Sequence, residues 1–142
     1  MKIVQAIFIS IAAFASAEGC MLKELHQDLD GTSDRTRLVT FGRSKVRKTS
    51  GKTVGFLQGY CVMSHGPEDK QSELCTAVIE LDGESVHLSY YYPLYKNGGD
   101  GPSEFEAVIT AATGSCSAQA NKRVPAKFDG DTLIWYFNKI QD

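Results

Sequence analysis

The 142-residue sequence has no run of about 20 apolar residues, the length a helix needs to cross a bilayer. It also has no G-x-S-x-G, no phosphate-binding G-x-x-x-x-G-K-[ST] and no H-E-x-x-H, so hydrolase and nucleotide-binding readings find no support. The three histidines, His26, His65 and His87, show no ligand spacing. There is no C-x-x-C or Cys/His cluster, so neither a metal nor a cofactor is expected. Asn97, Asn121 and Asn138 all lack the Ser or Thr of an N-glycosylation acceptor. Basic excess is missing too: 15 Lys and Arg stand against 17 Asp and Glu, which argues against a general nucleic-acid binder. Helical periodicity is nowhere convincing.

What is present begins with an address. Lys2, the apolar run from Ile3 to Phe14 and the Ala15-Ser16-Ala17 cleavage signal predict a signal peptide over residues 1–17 and a secreted protein. Residues 18–142 then form a single domain carrying about −3. Its four cysteines, Cys20, Cys61, Cys75 and Cys116, allow three connectivities for two disulfides in an exported chain.

Period-two alternation supplies the elements. Over Met21–Leu29 the leucines Leu22, Leu25 and Leu29 suit a helical stripe, while a strand places Glu24, His26 and Asp28 on one face; the strand is the reading taken, and Asp30–Asp34 reads as a turn before a short strand over Thr36–Phe41. Gly42–Lys52, with Arg43, Lys45, Arg47, Lys48 and Lys52, reads as an exposed basic loop. Thr53–Met63 carries Gly55, Leu57, Gly59, Cys61 and Met63 on one face and Val54, Phe56, Tyr60 and Val62 on the other. The Asp82-Gly83 turn then sets a register for Glu73–Leu81 and Glu84–Tyr92 in which Ile79 faces Val86, Ala77 faces Leu88 and Cys75 faces Tyr90. Cys61 and Cys75 fall on one face of consecutive strands, which favours their pairing and leaves Cys20 with Cys116. After a Gly-rich loop over Tyr95–Ser103, strands are expected at Glu104–Thr110 and Ser115–Val124 around a corner at Gly114. The second of these would turn Cys116, Ala118 and Ala120 inward, and an aromatic strand over Thr132–Ile140 closes the chain. Eight short strands predict an all-β fold, and a closed eight-stranded antiparallel β-barrel removes every exposed edge.

Val54-Gly55-x-x-x-Gly59-Tyr60-Cys61-Val62, the Asp-Gly hairpin, Phe105–Gly114 and the closing aromatic strand occur in an order that resembles the allene oxide cyclase and dirigent superfamily, across roughly Thr53 to Ile140. The resemblance implies an eight-stranded barrel, usually a trimer, whose lumen confines a reactive small molecule without a cofactor. It also implies an isomerase reading in which Glu24, with His26 two residues on, handles developing charge and Cys61 lines the site. Ala111-Ala112 stands where the family has paired glycines, and Ala120 where matching dirigent proteins carry an arginine.

The leading expectation is therefore a secreted barrel that binds an apolar or phenolic small molecule, lipid- or oxylipin-like, in its lumen. Leu57, Gly59, Cys61, Ala77, Ile79, Leu88, Tyr90 and Ala118 would line that lumen. The cyclase-type isomerase is one alternative. The other is a disulfide-braced extracellular module acting on a neighbouring cell through the Arg43–Lys52 loop. The apolar outer face of the third strand calls for a covering subunit, hence a homotrimer.

Overall fold

The computed structural model describes residues 20–29, 32–35, 38–64, 71–94 and 101–142. The expected signal peptide, His65 and most of the two loops at 64–72 and 95–103 lie outside those residues. Nine strands are described: β1 (Glu24–Asp28), β2 (Thr32–Arg35), β3 (Leu38–Lys48), β4 (Thr53–Met63), β5 (Glu73–Leu81), β6 (Glu84–Tyr92), β7 (Glu104–Ala112), β8 (Arg123–Asp129) and β9 (Thr132–Tyr136). Each strand pairs antiparallel with its neighbour in the order β1-β9-β8-β7-β6-β5-β4-β3-β2, and β1 also pairs with β3. That last pairing closes an eight-stranded barrel. β2 lies along Leu38–Phe41 and β1 along Val46–Lys48 on the same side of β3, so β2 continues the line of β1 instead of adding a ninth stave.

The middle of the chain folds as its pattern dictates. β4, β5 and β6 have the expected bounds, and the Asp82-Gly83 turn sets Ile79 opposite Val86, Ala77 opposite Leu88 and Cys75 opposite Tyr90. Cys61 faces Cys75 in the β4–β5 register and is bonded to it, while Cys20 is bonded to Cys116.

Four expectations are corrected: Thr32–Asp34, expected within a turn, runs as part of β2 against Val39–Phe41. The basic stretch is strand up to Lys48: Ser44 and Val46 point inward at 3% and 0% exposure, which drives Arg43, Lys45 and Arg47 to the outside. The strand expected over Ser115–Val124 is a 3₁₀ helix at Gly114–Gln119, with β8 beginning only at Arg123. Two ties from distant parts of the chain hold it there: Cys116, fully buried, is bonded to Cys20, and the Ser115 amide donates to Glu84 Oε1 at 2.7 Å. Ala118 is consequently exposed on that helix instead of lining the wall, and Ala120 is half-buried in the turn behind it. The last strand also ends early, at Tyr136, before a 3₁₀ turn over Phe137–Lys139.

The inward face is one contiguous apolar cluster that includes Leu25, Leu57, Ile79, Leu88, Ile109, Leu133 and Trp135. Each such aliphatic side chain contributes about 2 kcal/mol by leaving water. Small barrels of eight strands are commonly filled by their own side chains in this way.

Candidate functional site

The two ends of the barrel differ. At the end formed by the close of β4 and β6, Tyr90, Tyr92, Phe105, Phe128 and Trp135 form a ring-on-ring stack with centroids 5.0–5.8 Å apart, beside the Cys61–Cys75 bond. Burial, with the Glu73 carboxylate and Tyr92 adjacent, pushes the Tyr90 phenol well above its ordinary value near 10.0, so it stays neutral. Tyr92 donates from its hydroxyl to the Pro102 carbonyl at 2.9 Å. The Cys61, Glu73 and Cys75 ligand atoms lie within 4.8 Å of one another, but both sulfurs are tied in the disulfide and offer no thiolate.

Between the ends, the side chains expected to line a hollow pack on one another. Leu57, Ala77, Ile79 and Leu88 are 0–1% exposed and Cys61 is 0% exposed, so no water-sized space adjoins them. Gly59 is there for a different reason: a Cβ would sit 2.3 Å from the Thr76 carbonyl oxygen, so its absence is what lets β4 and β5 meet. Deeper toward the other end, the Trp135 indole N–H donates to Gln27 Oε1 at 3.2 Å. An indole only donates, which fixes the amide's orientation. Gln27 Nε2 is then left buried without a partner, at a cost of about 1–3 kcal/mol.

The other end is open. The segment Cys20–Lys23 lies over it as a strap, tied by the Cys116 disulfide, by Met21 N–H donating to Ser115 Oγ at 3.3 Å and by Phe137 N–H donating to the Lys23 carbonyl at 3.0 Å. Opposite the strap, the β3–β4 turn is pinned by Gly51 N–H to Lys48 O at 2.8 Å and Lys48 N–H to Lys52 O at 3.0 Å. Between them is a half-open cavity of about 690 Å³, with Leu22, Leu25, Val54 and Leu81 as an apolar floor and Lys23, Lys48 and Lys52 at its rim. That volume lies within the range of small-molecule sites, roughly 300–1,000 Å³.

Glu24 also borders this mouth, on the outer face of β1, where its Oε1 sits 2.7 Å from His26 Nε2. Cys61 lies at the far end of the barrel, so the structure does not bring the two together. The mouth residues were individually inconspicuous in the sequence. The one available signal was Lys48 and Lys52 bracketing the Gly51 turn.

What the fold and site define is a disulfide-braced, eight-stranded antiparallel barrel with an apolar cavity at one end. No protein-family model and no curated protein sequence matches the chain. Among solved structures, one named pyocyanin demethylase is similar, at a TM-score of 0.54 and 18% identity over 84% of this chain and 96% of that one. The likeness is one of fold. No helix among the described residues is long and apolar enough to cross a membrane.

Proposed function

We propose that the protein is a secreted barrel that binds an apolar small molecule in the mouth between the Cys20–Lys23 strap and the β3–β4 turn. The observation that carries this reading is the cavity of about 690 Å³ over Leu22, Leu25, Val54 and Leu81. Two disulfides support an extracellular setting. The superfamily resemblance, and a similarly folded protein whose name says that it acts on pyocyanin, support a small molecule as the ligand. The same reading places the ligand at the mouth, because the centre of the lumen is occupied by the protein's own side chains.

The test is a thermal-shift screen of fatty acids, oxylipins and phenolics against the mature protein. A ligand present at 100 times its Kd should raise the Tm on the order of 10 °C. Val54→Trp, which fills the cavity, should abolish that shift. No shift from any member of the panel, or a shift that Val54→Trp leaves intact, would remove the mouth as the site. Turnover of the cyclase type gains nothing from the separation of Glu24 and Cys61, and a chiral product from an unstable fatty-acid epoxide would be needed to restore it.

A covering subunit is the second part of the proposal. Tyr60, Val62, Leu74, Tyr91 and Val108 are 39–62% exposed and lie together on the outer faces of β4–β7. The charge beside them is neutralised, since Glu106 pairs with Arg123 at 3.1 Å, so a second copy meets this face without like-charge repulsion. Light scattering should find an oligomer that Leu74→Glu with Tyr91→Glu reduces to a monomer. A wild-type monomer at all concentrations would contradict the subunit contact and leave the mouth unaffected.

A further inference from the structure

The basic run that stands out in the sequence is divided by the fold into two groups. Arg43 stacks on the Phe56 ring at 4.1 Å and reaches Glu80 at 3.9 Å. Arg47 is paired with Asp28. Lys48 and Lys52 have no ion-pair partner among the described residues, and the turn carries both to the rim of the apolar mouth. Lys23, on the strap across the mouth, is likewise without an ion pair there.

Three carboxylates share the rim, but two are engaged. Glu24 holds His26 at 2.7 Å, and Glu84 accepts the Ser115 amide at 2.7 Å, leaving Asp82 on the outer turn. The rim is therefore formally balanced, three ammonium groups against three carboxylates, but the ammonium groups are the ones left without an ion-pair partner among the described residues, while the whole chain carries −2. Charge and apolarity are segregated by depth: ammonium groups at the opening, Leu22, Leu25, Val54 and Leu81 below.

We propose that the ligand of this mouth is a monoanionic amphiphile, an alkyl or aryl acid whose head group sits among Lys23, Lys48 and Lys52 while its apolar part covers Leu22 and Leu25. The proposal rests on the mouth being the binding site and adds the chemistry of what it selects. A concave site between strap and turn suits a single molecule. An anionic bilayer would have to approach a chain of like net charge.

The experiment compares decanoate with 1-decanol, which share a tail and differ in head charge, on the wild type and on Lys48→Gln/Lys52→Gln, by calorimetry. Decanoate should bind the wild type at least roughly tenfold more tightly than decanol, and the double variant should lose that advantage while keeping its affinity for decanol. Raising salt from about 0.05 M to about 0.5 M should weaken decanoate alone. Equal binding of both probes would overturn the head-group inference and leave the mouth standing as an apolar site. A decanoate preference that survives the double variant would also overturn it. Binding of neither would overturn the mouth itself. Sedimentation with phosphatidylserine vesicles in the absence of decanoate binding would assign the lysines to a membrane surface, against the proposal.

Discussion

Replacing Cys20 and Cys116 together by serine is expected to cost about 4 kcal/mol of stability and to lower the urea midpoint accordingly. The bond joins residues 96 apart in sequence, so its loss frees nearly the whole domain in the unfolded state. A closed loop of about 100 residues is worth about 4.7 kcal/mol in chain entropy at 25 °C, and one of about 15 residues about 3 kcal/mol. Cys61–Cys75, which spans 14 residues, should therefore matter less as an entropic brace, although its removal also disturbs the aromatic end. The long bond does a second thing: it holds the strap over the mouth, with Met21 and Lys23 hydrogen-bonded in place. Its loss should therefore expose residues 20–23 to proteolysis before the barrel unfolds. For a domain whose total stability is typically 5–15 kcal/mol, a loss of this size is a large fraction. A midpoint in the double variant equal to that of the wild type would contradict the role given to this bond.

Gly59→Ala is the second large effect, expected to cost about 3 kcal/mol or more. The added methyl carbon would lie 2.3 Å from the Thr76 carbonyl oxygen and 2.8 Å from Ala77 Cα. Both are backbone atoms, so no side-chain rotation relieves the contact, and β4 and β5 must move apart across a register that runs from Gly55 to Met63. Gly55 is similarly placed, 2.1 Å from the Glu80 carbonyl oxygen. Gly83→Ala is the control: nothing lies within 4 Å of its Cβ position, and the cost comes only from a φ of +73°, roughly 1–2 kcal/mol. Equal destabilisation of the Gly59 and Gly83 variants in urea titrations would refute the steric argument.

The same glycine illustrates how far the sequence could be read. Gly59 falls on the inward face by simple alternation, and it was expected to leave space for a ligand. What it makes room for is the neighbouring strand, a fact that depends on how sharply β4 bends against β5. Ala118 misled in another way. Alternation of small residues from Ser115 to Ala120 imitates a strand, but without a large apolar side chain to anchor one face, the pattern has little energy behind it. The segment is instead a 3₁₀ helix, tied by a disulfide at Cys116 and a hydrogen bond from Ser115 to Glu84. In β3 the opposite occurred. Charge density read as a loop, although Ser44 and Val46 between the cations preserved the two-residue period that packing rewards.

The sequence by itself determined the β4–β5–β6 register, the Cys61–Cys75 pairing and the barrel class, because a period of two and an Asp-Gly turn act between near neighbours and fix which face each residue shows. Only the tertiary structure decided that Leu57, Ala77, Ile79 and Leu88 pack on one another in the lumen and that a cavity lies between the strap and the β3–β4 turn. Filling a barrel depends on the summed volume of side chains from all its strands. The mouth itself is assembled from Leu22, Lys48, Val54 and Leu81, which meet only after the sheet has closed on itself.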